Sequence, residues 1–140
     1  MDAADARFGG ISRLYGNDGL TKLRAAHVAV IGVGGVGSWS AEALARSGIG
    51  KLTLVDLDEV CITNTNRQIH ALEGSINKAK VSELALRIHR INPDCTVYAR
   101  TEFFTSQSAN SILSGGFDYL IDAIDGLTNK CLLIDECRRR

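Results

Sequence analysis

Asn64-Thr-Asn66-Arg67-Gln68 is a polar string with no evident structural purpose, and Lys80 follows it in the first turn of an amphipathic stretch. Together they supply two kinds of cation suited to a polyphosphate. Arginine offers a planar fork to phosphate oxygens, while lysine brings a point charge on a flexible stem. Catalysis at the α-phosphorus of a triphosphate needs cations that follow the developing charge. Carboxylates complete the set. Asp56, with Asp58 close by, is placed to accept ribose hydroxyls, and Asp125 is a candidate ligand for Mg²⁺ bridging phosphates, with Asp122 as its alternative or helper. Each residue also has a plain reading, as a solvated lysine near a helix start or an aspartate that merely begins a loop.

Backbone must meet the anion too. Gly32-Val-Gly34-Gly35-Val-Gly37 follows directly on the apolar run His27-Val-Ala-Val-Ile31. In that pattern Gly32 permits a tight turn, Gly34 lets backbone approach phosphate, and Gly37 lets the next helix pack against the strand. The acid at Asp56 lies about 20 residues further on, the spacing of a nucleotide-binding βαβ unit. This spacing alone admits NAD or ATP. Arg67 and Lys80 favour ATP, because a dinucleotide dehydrogenase leaves Asn64–Gln68 unexplained.

Periodicity and turn chemistry then place the elements. Residues 1–16 read as irregular, and Asn17 or Asp18 caps a short helix to about Ala26. Strands are expected at His27–Ile31, Leu52–Val55, Thr96–Ala99 and Tyr119–Ile124. Helices are expected over 37–47, 78–91 and 106–113, with a last one capped by Thr128. Residues 57–76 form a long connection without clear periodicity, of the kind that is a functional loop or holds short helical turns. Alternating strands and helices imply a Rossmann-like, doubly wound α/β fold with a mainly parallel sheet, helices on both faces and strand order 3-2-1-4. Ligands bind such sheets where the order reverses, at the carboxyl ends of the strands.

The bulk properties narrow the classes. The chain has 140 residues, with 16 basic against 16 acidic side chains, so net charge selects no partner. Arg138–Arg140 with Arg87 and Arg90 are the visible basic clusters, and arginines in a last helical turn also complement its dipole. The four cysteines, Cys61, Cys95, Cys131 and Cys137, include no CxxC pair and point away from zinc. Cys61 reads as packing before nucleophile. His27 and His89 read as structural or solvent-facing, and His70 as a candidate for the site rim. With no signal peptide and no long apolar run, a cytoplasmic protein with no membrane association is expected.

These motifs together resemble the ubiquitin-activating-enzyme-like (ThiF/MoeB-type) superfamily. The resemblance implies that Asp56 holds the ribose of ATP, that Asn64, Arg67 and Lys80 contact its phosphates, and that Asp125 binds Mg²⁺. Gly35, Asp58 and Gln68 join the set of nucleotide-contacting candidates. Arg7-Phe-Gly-Gly-Ile-Ser-Arg-Leu-Tyr-Gly16, Gly35-Val-Gly-Ser-Trp39 and Cys61–Ala71 are similar to the tRNA threonylcarbamoyladenosine dehydratase branch. That branch implies ATP-dependent activation of a tRNA-borne carboxylate and cyclisation with net dehydration. Other readings are activation of a ubiquitin-like sulfur carrier, with sulfur-transfer partner proteins, and an inactive nucleotide-binding fragment. The resemblance further implies a homodimer, in which Arg7 or Arg13 is a candidate to act on a partner's triphosphate. Its domain would be an N-terminal segment, 1–26, followed by an ATP-binding unit, 27–140. Superfamily members continue past the last helix here, so the sheet is expected to be incomplete on its C-terminal side.

Overall fold

The computed structural model describes residues 6–140. His27–Ile31 is short, apolar and rich in β-branched residues, and it forms the central strand β1. The helix α1 (Gly9–Ala25) precedes it. After it come α2 (Gly37–Arg46), β2 (Lys51–Val55), a 3₁₀ helix (Ile62–Asn66), α3 (Lys80–Ile91), β3 (Thr96–Arg100), α4 (Ala109–Leu113), β4 (Tyr119–Asp122) and α5 (Leu127–Arg139). All strand pairings are parallel, in the order β3-β2-β1-β4. This is the Rossmann-like α/β fold expected from the sequence.

Alternation along β1 divides the core. Val28 and Val30 face α2 and α3, where Ala41, Ala45, Val81, Leu84 and Ile88 are buried with Leu52 and Leu54. Ala29 and Ile31 face the other way, against Ile112, Leu113 and Leu133 of α4 and α5. Alanines on α2 let it lie close to the sheet. Glu42, a buried carboxylate on α2, accepts hydrogen bonds from Arg87 of α3 and from Arg46 Nε at 3.0 Å. Arg87 is therefore part of the inter-helix seam, and the guanidinium holds the Glu42 carboxyl below its ordinary range. Arg139 and Arg140 pair with Asp135 and Glu136 one turn back.

The structure corrects several expected boundaries. Residues 9–15 are helical, and Gly16 (φ 75°, ψ 168°) kinks rather than ends α1. Leu14 and Tyr15 on that first half are exposed, so no apolar periodicity marks it, and buried Phe8 anchors its start. The last helix begins at Leu127 after Gly126, with no side-chain cap, so Thr128 lies inside it. Strand four ends at Asp122, two residues early, and α4 is shorter than expected. The 57–76 connection holds a 3₁₀ helix and a bridge between Glu59 and Ala79. Among the described residues no helix is long and apolar enough to cross a membrane.

Candidate functional site

The carboxyl ends of β1, β2 and β4 open into a cavity of about 610 Å³. The reversal of strand order between β2-β1 and β4 creates it, since the helices leave on opposite faces there. Of the expected residues, Gly32, Gly34, Gly35, Asp56, Asp58, Asn64, Arg67, Gln68, Lys80 and Asp125 all line it. Gly37 does not; it is buried beneath the loop. A Cβ on Gly37 would meet the Gly32 carbonyl oxygen at 1.7 Å, so only glycine closes this turn. Gly32 itself has φ +89°, and a Cβ there would meet the Ala123 oxygen at 2.6 Å.

Asp56 directly follows β2 and braces the glycine turn. Its Oδ2 accepts the Val33 N–H at 2.9 Å, and its Oδ1 accepts the Asp58 N–H at 2.9 Å. On the other side of the same residue, the Val33 carbonyl accepts from His70 Nε2 at 2.7 Å. A carbonyl only accepts, so the ring proton sits on Nε2. His70 is 2% exposed and lies under the loop, not on its rim. Burial pushes its imidazole below the ordinary histidine range, with the Val33 hydrogen bond opposing.

The polar string is shaped by its own backbone. Asn64 Oδ1 accepts the Cys61 N–H at 2.9 Å, which orients the buried Asn64 side chain at the cavity wall. Arg67 closes the 3₁₀ helix, and its Nη1 donates to Asn66 Oδ1 at 2.9 Å and to the Thr63 carbonyl at 3.3 Å. Its aliphatic shaft runs beside Gly35, where a Cβ would come within 3.4 Å. The Trp39 indole N–H donates to the Arg67 carbonyl at 2.8 Å. Gln68 is buried, and its Oε1 has no hydrogen-bond partner among the described residues. Cys61 is exposed, contrary to the packing role expected of it. Its thiol is lowered chiefly by the hydrogen bond from the Thr63 hydroxyl, at 3.1 Å.

Lys80 opens α3 and is only 6% exposed, unlike a solvated lysine. Its Nζ lies 3.5 Å from Asp58 Oδ2, a carboxylate on the open side of the cavity. A buried ammonium is retained where anions compensate it. Asp125 is exposed and lines the cavity, with no hydrogen bond or ion pair of its own among the described residues. Asp122 is instead committed to Lys130 Nζ at 2.8 Å. No cluster of three or more metal-ligating side chains occurs among the described residues. One carboxylate suits a Mg²⁺ ion that takes its other ligands from phosphates and water.

Glu102, Phe103, Phe104 and Asn129 also line the cavity and were missed from the sequence. The first three follow β3, at the same rim as the expected residues, and strand position was the available signal. Arg7, by contrast, donates to the Ile91 carbonyl at 2.7 Å, at the far end of α3 from Lys80. Across a helix of that length, about 18 Å, it does not reach this chain's cavity.

A sequence model described as the ThiF family matches residues 10–140. The tRNA threonylcarbamoyladenosine dehydratase of Haemophilus influenzae is 51% identical over 139 residues, covering 99% of this chain and 53% of that protein. The crystal structure of the Escherichia coli tRNA N6-threonylcarbamoyladenosine dehydratase in complex with ATP superposes with a TM-score of 0.97 at 52% identity. The match covers 99% of this chain and 57% of that one. The adenylyltransferase and sulfurtransferase MOCS3 of Drosophila yakuba is 33% identical, over 88% of this chain and 27% of that protein. The chain thus spans about half the length of the dehydratases it matches.

Proposed function

The chain belongs to the ThiF family, and from that premise we propose that it binds ATP and activates a carboxylate by adenylation. The observation that carries this reading is the convergence of buried Lys80, Arg67 and Asp56 with the glycine turn around one cavity. The 51% and 52% identities to dehydratases favour the carboxylate of threonylcarbamoyladenosine in tRNA as the acceptor.

The residues divide the work. Backbone N–H groups of the glycine turn and the start of α2 face the phosphates, and Asp56 takes the ribose hydroxyls. The substrate carboxylate attacks the α-phosphorus, and the bond to the bridging oxygen breaks to release pyrophosphate. Arg67 and Lys80 follow the charge that moves onto that leaving group. Asp125 would hold Mg²⁺, which supplies further charge neutralisation on the phosphates. The carbamoyl group of the same modification then attacks the acyl carbon and expels AMP. The ring closes with net loss of water, carried away in the cleavage of ATP. Adenylation turns a poor leaving oxygen into a good one, so the protein's task is positioning and charge stabilisation.

Calorimetry is expected to show ATP–Mg²⁺ binding and no NADH binding. Mass spectrometry of nucleosides from modified tRNA incubated with chain and ATP is expected to show a product lighter by one water. NADH binding without ATP binding would overturn the reading. Pyrophosphate exchange that needs a small carrier protein, and not tRNA, would move the acceptor to that class.

A further inference from the structure

We propose that Trp39 is a positioning residue for Arg67, fixing the cation of the polar string to the first turn of the glycine-loop helix. The inference rests on the ATP reading and deepens it. Trp39 is 54% exposed, so burial does not account for an indole there. Its one polar atom is used: Nε1–H donates to the Arg67 carbonyl at 2.8 Å, 28 residues away. Tryptophan only donates, and a backbone carbonyl only accepts, so this bond has one polarity and one geometry.

The surroundings make the contact a latch. Next to Trp39, the Ser38 hydroxyl donates to the Gly34 carbonyl at 2.5 Å, and its Oγ accepts the Ile69 N–H at 3.4 Å. The start of α2 is thereby joined to the polar string at residues 67 and 69, on both sides of Gln68. The Arg67 guanidinium, in contrast, is held among the described residues by Asn66 and Thr63 of its own short helix. Among the described residues, the Trp39 bond and the contact with Gly35 are what tie Arg67 to the glycine loop. On the ATP reading, the same α2 turn is where free backbone N–H groups would meet the phosphates. Trp39 therefore fixes the Arg67 main chain, and with it the root of the Arg67 side chain, relative to that backbone.

The test compares ATP and adenosine binding to the unaltered chain and to Trp39→Phe, which keeps a ring and removes the N–H. ATP affinity is expected to fall about five-fold, the scale of one hydrogen bond. Adenosine affinity is expected to be unchanged, because it lacks the phosphates. In an Arg67→Ala background the same change is expected to cost nothing further. Equal losses for ATP and adenosine, intact ATP affinity, or full additivity with Arg67→Ala would overturn the latch while leaving the ATP reading standing. Absence of ATP binding by the unaltered chain would overturn both. Trp39 is the chain's one tryptophan, which gives a second measurement if the variant fails to fold. ATP, and not adenosine, is expected to shift the indole emission of the unaltered chain, and no shift with ATP refutes the latch.

Discussion

Val33 is gripped at both ends of its residue, by the Asp56 carboxylate at its N–H and by the His70 imidazole at its carbonyl. Asp56 therefore braces the glycine turn, and in the proposed reading it also takes the ribose hydroxyls. Asp56→Ala is expected to weaken ATP binding roughly 10- to 100-fold, and Lys80→Ala or Arg67→Ala by a similar factor, measured by calorimetry. His70 makes a prediction of opposite kind. Burial holds its folded-state pKa below the ordinary 6.5, so between those two values the unfolded chain binds more protons. Stability is then level above about pH 6.5 and falls as pH drops through that value toward the folded-state pKa. Urea midpoints at pH 5.5 and 7.5 are expected to differ in that direction. His70→Gln should reduce the difference without abolishing it, since His27 is lowered by burial as well.

At the scale of elements, the seam between α2 and α3 depends on a buried carboxylate, with Glu42 accepting from two arginines. Glu42→Gln leaves Arg87 with a weaker partner, and a loss of about 2 kcal/mol is expected in denaturant unfolding. Acidification is expected to weaken the same seam, in a lower window than His70. The lowered Glu42 pKa means its contribution is present above about 4.5 and lost as pH falls through the folded value. The β1–glycine–α2 unit and the β2 terminus at Asp56 were legible because backbone geometry there admits few residue types. Gly37 shows this, since a Cβ would collide with the Gly32 carbonyl. The first half of α1 was not legible, because Leu14 and Tyr15 are exposed and trace no buried face. His70 and Cys61 were misplaced for a related reason. In a loop without periodicity, sequence does not tell which side chains turn inward, and here His70 is buried while Cys61 is exposed. Nothing in the residue types of Glu102–Phe104 marks them in the sequence; their position after β3 brings them to the cavity.

At the scale of the whole molecule, β3 and β4 are the edge strands of the sheet. Among the described residues β4 pairs only with β1, which leaves its outer row of N–H and C=O groups available to another strand. The helix that follows adds apolar surface. Leu127, Cys131 and Ile134 recur at i, i+4 and i+7 and are all exposed, at 75% for Leu127 and 51% for Ile134. Tyr119, at the start of β4, is 73% exposed. The opposite stripe of α5 is already used, with Leu133 buried against the sheet. An open edge and an exposed apolar helix face both favour association with a second copy. The 140-residue chain is therefore expected to dimerise or aggregate as its concentration rises in sedimentation velocity. Leu127→Lys combined with Ile134→Lys is expected to raise the monomer fraction, because charge on that face opposes burial while leaving Leu133 in place. A monodisperse monomer of the unaltered chain at high concentration would show that this surface is tolerated in water as it stands.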